Sequence, residues 1–152
     1  MTMKTTFAAL LLGATTVFAP AFADEAQEKA IEYRQSVFNV VGWNFKPMGA
    51  MVKGEKPFNA AEFQRMAENV AFMSKLAAEG FIPGSDAKAG DTEAKDDIWK
   101  KPDEFKSKMA DFEKASAELA AASKSGDLNA IKPLFGKTAE TCKACHKAFR
   151  KD

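Results

Sequence analysis

Four segments of this chain carry apolar side chains at helical spacing, and that repetition leaves little choice of architecture. In the first, Ile31, Arg34, Phe38, Val41, Phe45 and Met48 follow at intervals of 3, 4, 3, 4 and 3 residues. That is the seam of a helix packed in a bundle. Phe63, Met66, Val70, Met73 and Ala77 repeat the spacing, with Leu76 widening the stripe. A third stripe is Phe105, Met109, Phe112 and Leu119; a fourth is Leu128, Ile131, Phe135, Cys142, Cys145 with His146, and Phe149. Nothing reads as a strand beyond short apolar runs that the helical period explains better. The prediction is an all-α fold, an antiparallel (up-down) four-helix bundle.

Local signals place the helix ends. The first helix is expected over Glu25 to about Phe45, with Pro47 ending or kinking it. Lys53-Gly54-Glu55-Lys56-Pro57 reads as a connection. Asn59 is a good N-cap, and Glu62 three residues on makes a capping-box pattern. Gly80 closes the second helix. Phe81 to Lys101 is predicted as an irregular crossover, with Ile98-Trp99 docking it on the bundle. Pro102-Asp103-Glu104 opens the third helix, Gly126 ends it, and Asp127 caps the fourth.

Residues 1–23 are set apart from the bundle domain, residues 24–152. Lys4, the apolar run from Phe7 to Phe18 and the small-residue site Ala21-Phe22-Ala23 have the form of a secretory signal peptide cleaved after Ala23. The alternative, a retained anchor, suits this run poorly because it is short for a membrane span. The leader carries one of the 22 Lys and Arg and none of the 21 acids, so residues 24–152 are formally neutral. No basic stripe of the kind that tracks a phosphate backbone is present, so nucleic acid is not an expected partner. No second apolar segment suggests membrane insertion.

The chemistry sits on the fourth stripe. Cys142-Lys143-Ala144-Cys145-His146 is a Cys-x-x-Cys-His sequence, the attachment signature of a c-type haem. Positions i, i+3 and i+4 of a helix share one face, so both thiols and the imidazole can meet one porphyrin edge and its iron. Lying on the core-facing stripe, the motif places one haem c inside the bundle, bound through Cys142 and Cys145. A redox-active Cys-x-x-Cys belongs beside a βαβ pattern, which is absent. Structural zinc wants four ligands, and the chain has two Cys and one His. Export also puts the thiols in an oxidising compartment, where covalent haem attachment takes place in bacteria.

His146 is the only histidine, so the iron cannot have two His ligands from one chain. The sixth position is methionine, another weak ligand, or vacant. Met48, Met51, Met66, Met73 and Met109 are available, but the last three sit on packing stripes. The first helix before Pro47 has no Met and offers Phe38 instead, so a vacant, apolar site is expected. Arg34 is a charge on an apolar seam and needs a partner. A haem propionate is one choice, with Gln35 adding amide donors; snorkelling to solvent is the other. Arg150, one turn after His146, either sits against the proximal side or simply complements a helix C-terminus.

With these residues assembled, the chain resembles the cytochrome c′ family over its whole mature length. The likeness includes Tyr33-Arg34-Gln35, Val52-Lys53-Gly54, Phe81-x-Pro83-Gly84-Ser85-Asp86 ahead of Ile98-Trp99, and Cys142 through Arg150. It implies a periplasmic homodimer with five-coordinate, high-spin haem iron and His146 as the sole axial protein ligand. It also implies haem or propionate contacts from Arg34, Gln35, Ser85 and Asp86, and an Arg, here Arg150, beside the proximal histidine. Phe38 matches an apolar distal residue that is often Leu, and the larger ring should hinder CO more than NO.

The expected function is small-gas binding (NO, CO), one-electron transfer with an unidentified redox partner, or both. The alternative is a low-spin, Met-ligated electron carrier on the same bundle. No distal histidine is available for acid–base work, so an enzyme such as a peroxidase is not expected.

Overall fold

The structure is a computed structural model that describes residues 20–151, with side chains from Glu25 to Lys151. Its helices are α1 (Pro20–Lys53), α2 (Ala60–Leu76), the single turn α3 (Asp97–Lys100), α4 (Pro102–Ser123) and α5 (Leu128–Phe149). The long helices α1, α2, α4 and α5 form the antiparallel four-helix bundle. Most of the expected leader, residues 1–19, lies outside the described residues.

The first helix corrects the expectation at Pro47, which lies inside α1 and does not end it. Proline removes one helical hydrogen bond, at a cost of about 3 kcal/mol. The missing donor is the one that would reach Trp43, whose side chain is 82% exposed, so water can serve that carbonyl. Beyond Pro47, Met48 and Met51 are fully buried, and each buried side chain of this kind returns about 2 kcal/mol. Packing therefore carries the helix through. Gly54, at φ +78°, then stops it in the left-handed conformation that favours glycine.

The other caps follow the sequence more closely. Asn59 Oδ1 accepts from the Glu62 amide at 3.0 Å. Glu62 does not return the bond as a capping box would; its carboxylate pairs with Lys56 at 2.9 Å. Pro102 opens α4, and Asp127 Oδ1 accepts from the Asn129 amide at 2.9 Å. A 3-10 turn, Ala77–Gly80, prolongs α2 before the crossover. Ile98 is buried, and Trp99 Nε1 donates to the Ile82 carbonyl at 2.9 Å, so the crossover is docked as expected.

The stripe on α1 is rotated from the predicted one. Asn44, not Phe45, is buried. It donates to the Val40 carbonyl at 2.8 Å and accepts from Asn69 of α2 at 3.0 Å. This polar bridge turns one flank of α1 to α2 and leaves Phe45 facing α5, where it stacks on Phe135 at 4.4 Å between centroids. The core divides in two. One cluster joins Met48, Met51, Phe63, Val70, Phe112, Leu119, Ile131 and Phe135. The other joins Val37, Ala77, Ile98, Phe105, Met109 and Phe149 at the crossover end.

Candidate functional site

Cys142, Cys145 and His146 project from the last two turns of α5. Both cysteines are free and half-buried. Cys142 packs against the first cluster and Cys145 against the second, so the two thiols straddle the seam between them. Burial pushes the Cys142 thiol up, partly offset by its hydrogen bond with Thr141. Burial pushes Cys145 up to about 11, with Lys108 pulling the other way. Both are therefore neutral thiols at neutral pH, unlike the low-pKa thiolates of redox motifs.

His146 has its pKa lowered, first by desolvation and then by the positive charge of Arg150, while Glu93 opposes the shift. The imidazole is neutral at pH 7, the form that can ligate a metal. Its surface stays accessible although it follows the core stripe, so the motif lies at the edge of the core.

The α1 flank that meets α5 places Phe38 opposite the motif. Phe38 lies two turns N-terminal to Phe45, and Cys142 lies two turns C-terminal to Phe135. Since α1 and α5 run antiparallel, the Phe45–Phe135 stack aligns Phe38 with the Cys142 level. Gly49 closes the same junction, where an added Cβ would lie 3.3 Å from the Phe135 ring. Phe38 is half-buried and meets Phe81 edge-on at 6.4 Å. It packs on the second cluster together with Met73, Phe81, Trp99 and Cys145.

Arg34 is 3% exposed, so the snorkelling alternative is overturned. Nη1 donates to the Gly80 carbonyl at 2.9 Å and Ser85 Oγ at 2.8 Å. Nη2 donates to the Ser85 carbonyl at 2.8 Å and Thr92 Oγ1 at 2.9 Å. The guanidinium also lies 4.7 Å from the Phe81 ring centroid, a cation–π distance. One buried cation thus ties the end of the 3-10 turn, at Gly80, and two points of the crossover, Ser85 and Thr92, to α1. Gly80 allows the approach: a Cβ there would stand 2.6 Å from that of Arg34.

The other predicted residues fall into two groups. Ser85 is buried and belongs to the Arg34 clamp; its hydroxyl also donates to the Ile82 carbonyl at 2.8 Å. Gln35 is exposed and donates to the Asp91 carbonyl at 2.8 Å. Asp86 caps its own turn, accepting from the Lys88 amide at 2.8 Å, and is not part of the clamp. Arg150 pairs with Glu93 at 2.6 Å. Around that pair the Lys95 amide donates to the Phe149 carbonyl at 2.9 Å, and the Lys151 amide to Glu93 at 2.7 Å. This forms an isolated antiparallel bridge, Ala94 to Arg150. Glu93 and Thr92 carry no motif signal. Only the unmatched charges of Arg34 and Arg150 announced that partners existed.

The residues present fit haem c. Two neutral thiols and a neutral imidazole lie within one turn and a half of α5, beside an apolar seam. Among the described residues no cluster of three or more Cys, His, Asp and Glu offers a competing metal site.

Comparison with known proteins agrees. The sequence model of the Cytochrome C' family matches residues 29–150. Cytochrome c′ of Rubrivivax gelatinosus is 41% identical over 124 residues, covering 80% of this chain and 93% of the relative. The solved structure of cytochrome c prime from Shewanella frigidimarina is 51% identical with a TM-score of 0.80, covering 83% of this chain and 97% of that one. A nitric oxide complex of a mutant cytochrome c prime from Alcaligenes xylosoxidans is 34% identical with a TM-score of 0.76, covering 83% and 96%. From thiol pair to bundle, the chain belongs to the cytochrome c′ family, non-enzymatic proteins with covalently bound haem c.

Proposed function

We propose that this chain is a periplasmic haem protein that binds NO or CO at an open axial position and is reduced by one-electron transfer. The observation that carries the reading is the placement of Phe38 across the seam from Cys142, in the apolar cluster that also takes Cys145. Haem c supplies an iron that alternates between ferric and ferrous states and takes a diatomic ligand at a free coordination position.

The chain's own residues do the rest. His146, held neutral by its surroundings, would hold the iron. Phe38 and Phe81, which meet edge-on, would border the ligand position with aromatic rings and offer no hydrogen-bond donor. Such a pocket favours NO and CO over O₂, which gains from a donor. Arg34, through Ser85, fixes the crossover that carries Phe81. Gln35, with its amide exposed, and Asp86 border the propionate side. Arg150 lies close enough to His146 to bias its charge.

Adding NO to the ferrous holoprotein should change its visible spectrum; an unchanged spectrum overturns gas binding. Phe38→Ala should speed CO association, and an unaltered rate removes Phe38 from the distal side. The second reading, a low-spin carrier, is favoured by Met73, which packs on the same cluster as Phe38 and Cys145. A Met–iron charge-transfer band in the ferric spectrum would establish it.

Two further assignments belong to this reading. Residues 1–23 act as an export leader, so the mature protein begins at Asp24, which intact mass will show. The chain is a homodimer through α1 and α2. The exposed large apolar side chains of the described residues, Tyr33, Val40, Trp43 and Phe72, all lie there. Trp43→Glu should halve the mass seen by sedimentation.

A further inference from the structure

Two lines on α1 could have faced the bundle interior. Val37, Asn44 and Met51 recur every seven residues, and so do their neighbours Phe38, Phe45 and Val52. Arg34, Val41 and Met48 fit a helical seam with either line, so they do not choose between them. By apolar area the second line is the better core, since it sets two phenylalanines and a valine against a valine, a methionine and an amide. The structure nevertheless buries Val37, Asn44 and Met51 and leaves Phe38, Phe45 and Val52 half-buried.

The polar member distinguishes the buried line. Asn44 is 4% exposed, and both ends of its amide are used. It donates to the Val40 carbonyl of its own helix at 2.8 Å and accepts from half-buried Asn69 of α2 at 3.0 Å. Turning α1 to bury the Phe45 line would break the bond to α2. A directional amide pair is satisfied in one rotation of the helix, whereas apolar side chains pack in several. Turned this way, the second line faces α5. Phe45 stacks on Phe135, and at Gly49, one turn on, an added Cβ would stand 3.3 Å from the same ring. Gly42, one turn back toward Phe38, differs: an added Cβ there would meet nothing within 4 Å. The flank is closed on α5 at Phe45 and Gly49 and has open space beside it at Gly42, next to Phe38.

We propose that Asn44 and Asn69 are a positioning pair whose amide bond fixes the rotation of α1, keeps Phe38 on the flank toward α5, and so sets the access of small gases to the iron. The proposal deepens the gas-binding reading above and rests on it. The two amides act through Phe38: without their bond the ring would swing toward the α2 side of the seam and uncover the ligand position. A buried polar pair of this kind gives up some stability for a single helix orientation.

The test combines CO association with the ferrous holoprotein, urea unfolding and a crystal structure of the variant. Asn44→Leu/Asn69→Leu replaces a satisfied polar pair by apolar side chains, so the urea midpoint should hold or rise. Freed of the amide bond, α1 should sample both rotations. CO association should split into two phases, the new one about tenfold faster than in the wild type and equal to that of Phe38→Ala. Adding Phe38→Ala to the double variant should leave one fast phase. The crystal structure should show Phe45 displaced from Phe135 or in two positions. A single phase at the wild-type rate overturns the positioning role, and so does a fast phase that Phe38→Ala accelerates by its full factor. A lower midpoint with the rate and the stack unchanged makes the pair structural only and overturns it too. The gas-site reading fails separately, through a ferrous wild type that takes up no CO. The Phe45–Phe135 stack then decides, and its persistence in the double variant overturns the pair's hold on α1.

Discussion

At the end of the bundle that holds Met48, Phe63, Leu119 and Ile131, the four helices meet directly, and each of these side chains is 0% exposed. At the crossover end α1 and α5 lack a comparable aromatic junction. There Phe38, Met73, Phe81, Trp99 and Cys145 are only half-buried and pack against the second cluster. Polar devices hold this second end: the Arg34 clamp and the Glu93–Arg150 pair. A dry core stabilises itself by burial. A site that must accept a planar group cannot be filled by its own side chains, so its walls are fixed from behind by hydrogen bonds. The half-burial of Phe38 and Cys145 is compatible with a haem packed against them.

The most severe way to break the comparison is to remove the thiols. Cys142→Ala/Cys145→Ala should abolish covalent haem, so acid–acetone extraction frees all of it and no haemochrome stays with the polypeptide. Urea unfolding should then show a large loss of stability, because a group that binds the folded state adds its binding free energy to folding. Haem retained after extraction would contradict the attachment.

Next are the two clusters themselves. Leu119→Ala deletes a fully buried side chain of the dry end and should cost about 3 kcal/mol in urea unfolding of the holoprotein, with the haem spectrum unchanged. Phe38→Ala removes more atoms, yet should cost only about 1 kcal/mol because the ring is half-buried. Equal costs would mean that the ends are packed alike.

Much of this contrast was legible before the structure. The four apolar stripes specify the bundle because a helix has only one core-facing line, and the cysteine spacing specifies the haem edge because one turn brings i and i+3 together. Pro47 does not end α1, since a local rule about one hydrogen bond was outweighed by Met48 and Met51 in the core. The register of α1 differs more subtly: Asn44 reads as surface until its partner Asn69, on another helix, is known. Arg34 announced a need for acceptors without naming them. Three of those it found are backbone or hydroxyl oxygens of the crossover, which carry no sequence signature.

Arg34→Met tests that clamp. The substitution keeps the stem and removes the donors, leaving the Gly80 and Ser85 carbonyls and two hydroxyls to find water. Stability should fall by about 2 to 3 kcal/mol. The loss should be confined to the crossover end, with faster amide exchange at residues 81–92 and protection at Leu119 unaltered. Uniform acceleration would show that the ends are not separate units.

The smallest expected effect on stability is the most informative about the iron. Glu93–Arg150 is an exposed pair, so Glu93→Gln should cost under about 1 kcal/mol. Yet both charges act on His146, in opposite senses. Losing the carboxylate leaves the guanidinium uncompensated beside His146. A nearby positive charge favours the ferrous over the ferric state, so the midpoint potential should rise. Arg150→Gln should lower it, and the double variant should return close to wild type. If Glu93 acts only by tying the crossover to α5, all three variants will unfold more easily while their potentials stay together.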